Sequence, residues 1–340
     1  MSGQVVLENE NIILKLFTYG ATLSSFYIKP IDTDIVIGFD EVEPYTLKSS
    51  ASMGKSVGRC ANRIGDAKFS LNNINYNLLA NNGPNCLHGG EIRFSDVEWN
   101  IKEQSIRKVI FTYDSPDMES GFPGNLHVEA EYELVDNELI LTYRGISDKD
   151  TIFNMTNHSY FNLSKVKDDI LNHELKIDAE RINLNDENGM AIEKTIKVDG
   201  TVFDFRNFKE IGEAVSANGI LLNQYCCGIR DGIINSDESD KRLLDNLDTN
   251  YLYENMNLKT LCELKDQNIK VEVKSDLPCV QIYTGKQLNV DGRDGHYGPY
   301  AGVAIEPQFC PNAINYSSFI KPIMKANEEI THVIKYKVTW

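Results

Sequence analysis

The stretch from Leu126 to Tyr143 constrains the fold more than any other part of the chain. Leu126, Val128, Ala130, Tyr132 and Leu134 alternate with His127, Glu129, Glu131 and Glu133. Asp136-Asn137 supplies a turn, and the alternation resumes at Leu139, Leu141 and Tyr143. A period of two with one apolar face is the pattern of a half-buried antiparallel hairpin. The same period marks Val97, Trp99 and Ile101. It marks Ile269, Val271 and Val273 after the turn-prone Lys265-Asp266-Gln267-Asn268, and Ile334, Tyr336, Val338 and Trp340 at the end. Asn72-Asn73, Asn81-Asn82-Gly83-Pro84, Asp199-Gly200 and Asp291-Gly292 punctuate the runs as turns. Helical periodicity is confined to 207–218, where Phe208, Ile211 and Val215 would share a face. These patterns predict an all-β chain, a large single-domain antiparallel β-sandwich over 1–340 with no Pro- or Ser-rich linker. The polar stretch 223–246, with Asp231, Asp237, Glu238, Asp240, Lys241 and Arg242, reads as a surface insertion.

At 340 residues, the chain is long enough to bury a core without staples. The formal charge of -16 repels phosphate backbones, so nucleic acid is excluded as an expected partner while a small neutral ligand is not. The seven cysteines include no CxxC pair, and Cys226-Cys227 has no metal spacing, which argues against a disulfide framework and a zinc site. Neither a signal peptide nor an apolar run long enough to span a bilayer is visible, so a cytoplasmic protein with no membrane association is expected. Nucleotide-binding glycine loops of the GxGxxG or GxxxxGKS kind are absent.

Few residues carry candidate chemistry. Of the six histidines, His127 lies on the polar face of the hairpin, and His173, His296 and His332 have no supporting pattern. His88 sits in Leu87-His88-Gly89-Gly90, where glycines allow close approach of a ligand. His158 sits in Asn154-Met155-Thr156-Asn157-His158-Ser159-Tyr160-Phe161-Asn162-Leu163, dense in donors and acceptors. Glu306 ends the apolar run Ala301-Gly302-Val303-Ala304-Ile305 and is followed by Pro307. It reads equally as a desolvated carboxylate of raised basicity or as a strand-end residue facing water. Asn62-Arg63 follows Gly58-Arg59-Cys60-Ala61; Arg63 reads as a donor fork or as an ordinary surface ion pair. A histidine and a carboxylate support general acid–base work without naming a reaction. No GxSxG nucleophile is present, and two ligands are too few for a metal site.

The motifs together resemble the aldose 1-epimerase, or galactose mutarotase, family. The matching pieces run in order: Tyr19-Gly20-Ala21-Thr22-Leu23, Gly58-Arg59-Cys60-Ala61-Asn62-Arg63-Ile64, Leu87-His88-Gly89-Gly90, Asn157-His158-Ser159-Tyr160-Phe161-Asn162-Leu163, Gly200-Thr201-Val202-Phe203-Asp204-Phe205, Gln281-Ile282-Tyr283-Thr284-Gly285, and Glu306-Pro307-Gln308 with Pro311-Asn312. The resemblance implies one large β-sandwich with a sugar site on its concave face. It implies interconversion of the α and β anomers of free hexoses with neither cofactor nor metal. Glu306 would be the general base and His158 the general acid. His88 would hydrogen-bond the anomeric or ring oxygen, while Asn62, Arg63, Tyr160 and Gln281 would line the sugar. Leu247-Asp248-Thr249-Asn250-Tyr251 fits a further family motif and makes Asp248 a binding residue, although members usually carry histidine where this chain has Thr249. A small aldose is the expected partner and a monomer or weak homodimer the expected state.

Three other readings compete. A hexose-6-phosphate 1-epimerase on the same fold would need a cationic pocket, for which Arg59 and Arg63 are candidates. A sugar-binding protein without catalysis would have no need of both His158 and Glu306. A glycoside hydrolase would need a second acid near Glu306.

Overall fold

A computed structural model describes residues 3–186, 189–215, 229–230, 233–234 and 246–340. The alternating stretch forms the hairpin Leu126–Val135 with Glu138–Ser147, in register Leu134↔Leu139 across the turn. Leu126, Val128, Ala130, Tyr132 and Leu134 are buried, as the period of two requires. This hairpin lies inside a nine-stranded antiparallel sheet. On one side come Lys108–Ser115 and the edge strand Asn100–Gln104. On the other come Ile330–Thr339, Ile269–Ser275, Lys259–Asp266, Glu174–Ile177 and Lys209–Glu210.

A second sheet runs Tyr160–Phe161, Val303–Gln308, Cys279–Tyr283, Asp248–Leu252 and Arg181–Asn185, then two short strands at 233–234 and 229–230. A four-stranded sheet, Gln4–Glu8, Ile12–Phe17, Thr22–Ile28 and Thr33–Asp34, adds to the same core. One apolar cluster joins all three: Tyr132, Leu141 and Tyr336 from the first, Ile282 and Ile305 from the second, Leu14 and Phe26 from the third. The all-β antiparallel sandwich expected from the sequence is the architecture observed.

Two local expectations differ. Trp99 is buried but Ile101 is 42% exposed. The Asn100–Gln104 strand is a sheet edge with a register shift between Ile101 and Glu103, so its alternation faces no core. The expected 207–218 helix is the single turn Ile211–Val215, with Lys209–Glu210 drawn into the nine-stranded sheet beside Glu174 and Leu175. Its first N–H groups donate to His173 O and Leu171 O, so tertiary contacts fix its start. Positions 216–218, and most of the 223–246 stretch, lie outside the described residues.

Candidate active site

The second sheet has one apolar face and one polar face, and the polar face carries the candidate site. Ile305 and Ile282 point into the core, so their neighbours Glu306 and Gln281 point away from it. Gln281 and Glu306 are Cα partners on adjacent antiparallel strands and therefore share a face. Asn250 is the Cα partner of Gln281, which places Asp248, two residues earlier, on that face as well. Tyr160, the partner of Ala304, completes the row. This face opens into a cavity of about 880 Å³ lined by Asn62, Arg63, His88, His158, Tyr160, Asp248 and Glu306. Gln281 lies behind that lining and holds it: its Nε2 donates to Asp248 Oδ1 at 2.5 Å.

His158 is set by the loop that passes beneath it. Its N–H donates to Lys55 O at 2.9 Å, Gly54 N–H donates to His158 O at 3.0 Å, and Asn157 Nδ2 donates to Gly54 O at 2.8 Å. Ser56 Oγ in turn lies 3.1 Å from Tyr132 Oη and 2.9 Å from Tyr143 Oη, so the central hairpin anchors that loop. The His158 ring packs on Tyr160 at 5.0 Å and edge-on to His88 at 5.6 Å between centroids.

His88 comes from a backbone that turns sharply. His88, Gly89 and Gly90 have φ of 54°, 95° and 90°. A Cβ on Gly89 would stand 2.0 Å from Gly58 O, so only glycine fits. His88 N–H donates to Asn62 O at 3.0 Å, and its Nδ1 accepts Asn62 N–H at 3.2 Å. That acceptance fixes the neutral ring proton on Nε2. Burial and the neighbouring His158 hold the His88 imidazole well below its ordinary range, which keeps it neutral.

The decisive geometry is the approach of His158 Nε2 to Glu306 Oε1, 3.6 Å, with 7% and 3% of the two side chains exposed. Glu306 is thus a desolvated carboxyl and not a strand-end group in water. Burial pushes it up to about 8, with Asp248 adding to the rise and Arg63 opposing it. Burial holds His158 down to about 4, and the Lys55 charge adds to that fall. Between those values the pair carries one proton, and the values belong to the pair as a unit. Such a pair can take a proton from one oxygen while giving one to another.

The remaining candidates separate. Arg63 faces the cavity and its Nε donates to Asn82 Oδ1 at 3.0 Å. Arg59 does not reach the cavity. Its guanidinium is buried and donates to Ser115 Oγ at 2.7 Å and to the carbonyls of Pro123 at 2.9 Å and Pro116 at 3.1 Å. It is a structural residue, so the phosphate pocket assembled from Arg59 and Arg63 is not formed. His173 is structural too: its Nε2 accepts Leu163 N–H at 2.9 Å. His127, His296 and His332 sit against Asp114, Asp291 and Asp276, away from the cavity. Among the described residues, no group of three or more His, Cys, Asp or Glu side chains could hold a metal ion.

Two contributors were missed in the sequence. Tyr283 lines the cavity and meets Tyr160 edge-on at 6.1 Å. Its two-residue spacing from Gln281 was the available signal. Lys55 is 2% exposed, lines the cavity and donates to Asp96 Oδ1 at 3.0 Å. Nothing in its local sequence marks it.

The family model for aldose 1-epimerase matches residues 3–337. This chain belongs to the aldose 1-epimerase family. It is 32% identical to the galactose mutarotase of Bos taurus, over 97% of this chain and 92% of the relative. It is 30% identical to the aldose 1-epimerase of Escherichia coli (strain K12), with the same coverage of both chains. Among solved structures it is similar to the GalM/aldose epimerase homologue from C. elegans, with a TM-score of 0.87 at 26% identity over 100% of this chain and 99% of that one. The galactose 1-epimerase of Lactobacillus acidophilus NCFM gives 0.81 at 28% identity over 98% and 93%. Thr249 stands where the resemblance leads to the expectation of histidine after Asp248. Its side chain is buried beside Ile282 on the opposite face from Asp248, and its hydroxyl has no partner. The departure therefore lies off the cavity wall. No helix among the described residues is long and apolar enough to cross a membrane.

Proposed function

We propose that the cavity binds the ring form of a free aldohexose and interconverts its α and β anomers by opening and closing the ring. The observation that carries this reading is the buried His158–Glu306 pair, 3.6 Å apart at the cavity wall. Glu306 takes the proton of the anomeric hydroxyl while His158 gives one to the ring oxygen. The C1–O5 bond breaks to an open-chain aldehyde and alcohol, and the C1–C2 bond rotates. The alcohol oxygen then attacks the other face of the aldehyde. His158 recovers its proton from the ring oxygen, and Glu306 returns its own to the anomeric oxygen. Each positioned acid or base contributes about 10²–10⁴ in rate.

In the free site the single proton of the pair rests on Glu306, because burial disfavours both charged forms. The Arg63 charge and the sugar hydroxyls favour the carboxylate on binding. Passing that proton to His158 leaves the total on the pair unchanged. His88 presents Nε2–H to a sugar oxygen. Asn62, Arg63, Tyr160 and Asp248 meet the hydroxyls, and Gln281 holds Asp248. The relatives' name, galactose mutarotase, makes galactose the first substrate to try. The five described cysteines are free and buried, which fits a reducing, cytoplasmic setting.

Polarimetry of freshly dissolved α-D-galactose and α-D-glucose, against the uncatalysed drift, tests the reading. Wild-type protein should accelerate the drift, and Glu306→Gln and His158→Asn should not. Acceleration of glucose 6-phosphate alone would move the activity to the phosphorylated sugar, and absence of acceleration with all three would leave a binding protein.

A further inference from the structure

Lys55 lines the cavity, is 2% exposed and is given no step in the ring opening proposed above. The backbone puts it there. Asn157 and Ser56 are Cα partners in the short antiparallel pair Thr156–Asn157 and Ser56–Val57. Their side chains turn inward together: Ser56 Oγ lies 3.1 Å from Tyr132 Oη, and Asn157 Nδ2 donates to the same oxygen at 3.3 Å. Side chains alternate along a strand, so the adjoining residues Lys55 and His158 turn outward together, and both line the cavity. Gly54 N–H donates to His158 O, and His158 N–H donates to Lys55 O, so Gly54 and Lys55 both stand opposite His158. That is the pattern of a β-bulge. Gly54 fills its first place at φ 65°, where a Cβ would meet Leu23 O at 2.0 Å. Bulges re-aim side chains, and this one aims Lys55 at the wall that carries His158.

A buried ammonium is costly unless it is paired. Lys55 Nζ donates to Asp96 Oδ1 at 3.0 Å and stands 5.3 Å from the centre of the Tyr19 ring. Asp96 Oδ2 also accepts Arg93 Nε at 2.6 Å. One carboxylate is shared between two cations and does not cancel both. The back of the His158 ring is bare: its Nδ1 is buried with no protein partner. Among the described residues, no carboxylate stands at Nδ1 to hold the charged ring, as the aspartate of a hydrolase triad does. The imidazole is therefore placed by backbone, faces Glu306 with Nε2, and shares its wall with a buried cation.

We propose that Lys55, held by Asp96, is a positioning residue for His158: its backbone places the imidazole, and its buried positive charge makes the protonated imidazole a readier donor to the sugar's ring oxygen. This rests on the reading of His158 as the general acid. An imidazolium beside a cation is disfavoured, so it forms only as Glu306 releases its proton, and it gives that proton up readily. The fall of His158 below its ordinary value, to which the Lys55 charge adds, has the same direction. Burial lowers the Lys55 ammonium as well, and Asp96 opposes that fall. The other groups facing the His158 ring are Glu306 from Val303–Gln308, His88 from the 87–90 turn and Tyr160 from its own segment, with Asp96 and Arg93 behind Lys55. As a carboxylate, Glu306 favours the imidazolium, so Lys55 and Glu306 act on the ring with opposite sign.

An NMR titration of the His158 imidazole, read on its Cε1–H signal and assigned by its loss in His158→Asn, tests the proposal without reference to activity. Lys55→Met should raise the midpoint from about 4 by about half a unit or more, about threefold in the protonation equilibrium. Lys55→Gln, which keeps a donor for Asp96 but no charge, should shift it the same way. Lys55→Arg, which keeps the charge, should leave it within a few tenths. A midpoint unmoved in both neutral variants would overturn the proposal. So would an equal rise in Lys55→Arg, because packing and not charge would then set the ring. The acid limb of the mutarotation profile should move with the midpoint, and a limb that stays while the midpoint moves would remove Lys55 from the reaction. Wild-type protein without mutarotation, whose His158 midpoint still answers to Lys55, would overturn the functional reading and leave the coupling between the two residues in place.

Discussion

His158 Nε2 and Glu306 Oε1 stand 3.6 Å apart with 7% and 3% of their side chains exposed. Two groups of opposite charge type, both denied solvent, are driven toward their neutral forms. Burial raises Glu306 to about 8 and lowers His158 to about 4. The result is a broad pH interval in which the pair holds a single proton, the condition that the proposed ring opening needs.

That interval predicts a bell-shaped pH profile. Below about 4 the pair gains a second proton on His158, and above about 8 it loses the one on Glu306. Mutarotation rates by polarimetry should be level near neutrality and fall on both sides. A flat profile from pH 5 to 9 would rule out this pair as the acid and base.

Glu306→Gln separates chemistry, binding and stability. Its rate should fall about 10²–10⁴-fold, with sugar affinity, by calorimetric titration, within a few-fold of wild type. The folded-state value of Glu306 lies above its ordinary 4.5, so its contribution to stability is full below 4.5 and is lost as pH rises toward about 8. Glutamine has no such loss. Melting temperatures should therefore favour the variant increasingly from pH 5 to 8. Near-normal turnover in Glu306→Gln would remove it as the base.

Arg63 and Asp248 act on Glu306 with opposite sign, and substituting them should move the alkaline limb in opposite directions. Arg63 lowers the carboxyl, so Arg63→Met shifts the limb upward. Asp248 raises it, so Asp248→Asn shifts the limb downward. Both should raise KM, because both line the cavity. Limbs that move together, or not at all, would mean that neither charge reaches the base.

The sequence made the frame of this site readable but not its interior. Period-two alternation was enough for the Leu126–Ser147 hairpin, because one face of that sheet is buried throughout and register is fixed by the pattern. The same rule failed at Ile101, where the strand is an edge with nothing to bury against. Glu306 could be seen as either desolvated or exposed, since local sequence does not report what covers a strand end. Arg59 and Arg63 looked equivalent four residues apart, yet one turns to Ser115 and the other to the cavity. Lys55 carried no signal because its partner, Asp96, lies 41 positions away. The row Asn250, Gln281 and Glu306 becomes visible only once strands from three distant segments are laid side by side.

Arg59 supplies a final contrast with its near neighbour. Its Nε and both terminal nitrogens donate to Ser115 Oγ and O, Pro116 O and Pro123 O. Arg59→Met would leave those acceptors buried and unmatched, at about 1–3 kcal/mol for each group left without a donor. The variant should unfold at clearly lower urea concentration than wild type. Arg59 does not line the cavity, so folded Arg59→Met should keep wild-type KM for the hexose and the wild-type ratio of rates on glucose and glucose 6-phosphate. Arg63→Met should behave in the opposite way, with a raised KM and little change in the urea midpoint. A change in the phosphate ratio in Arg59→Met, with stability intact, would put Arg59 back in the binding site and revive the phosphorylated-sugar reading.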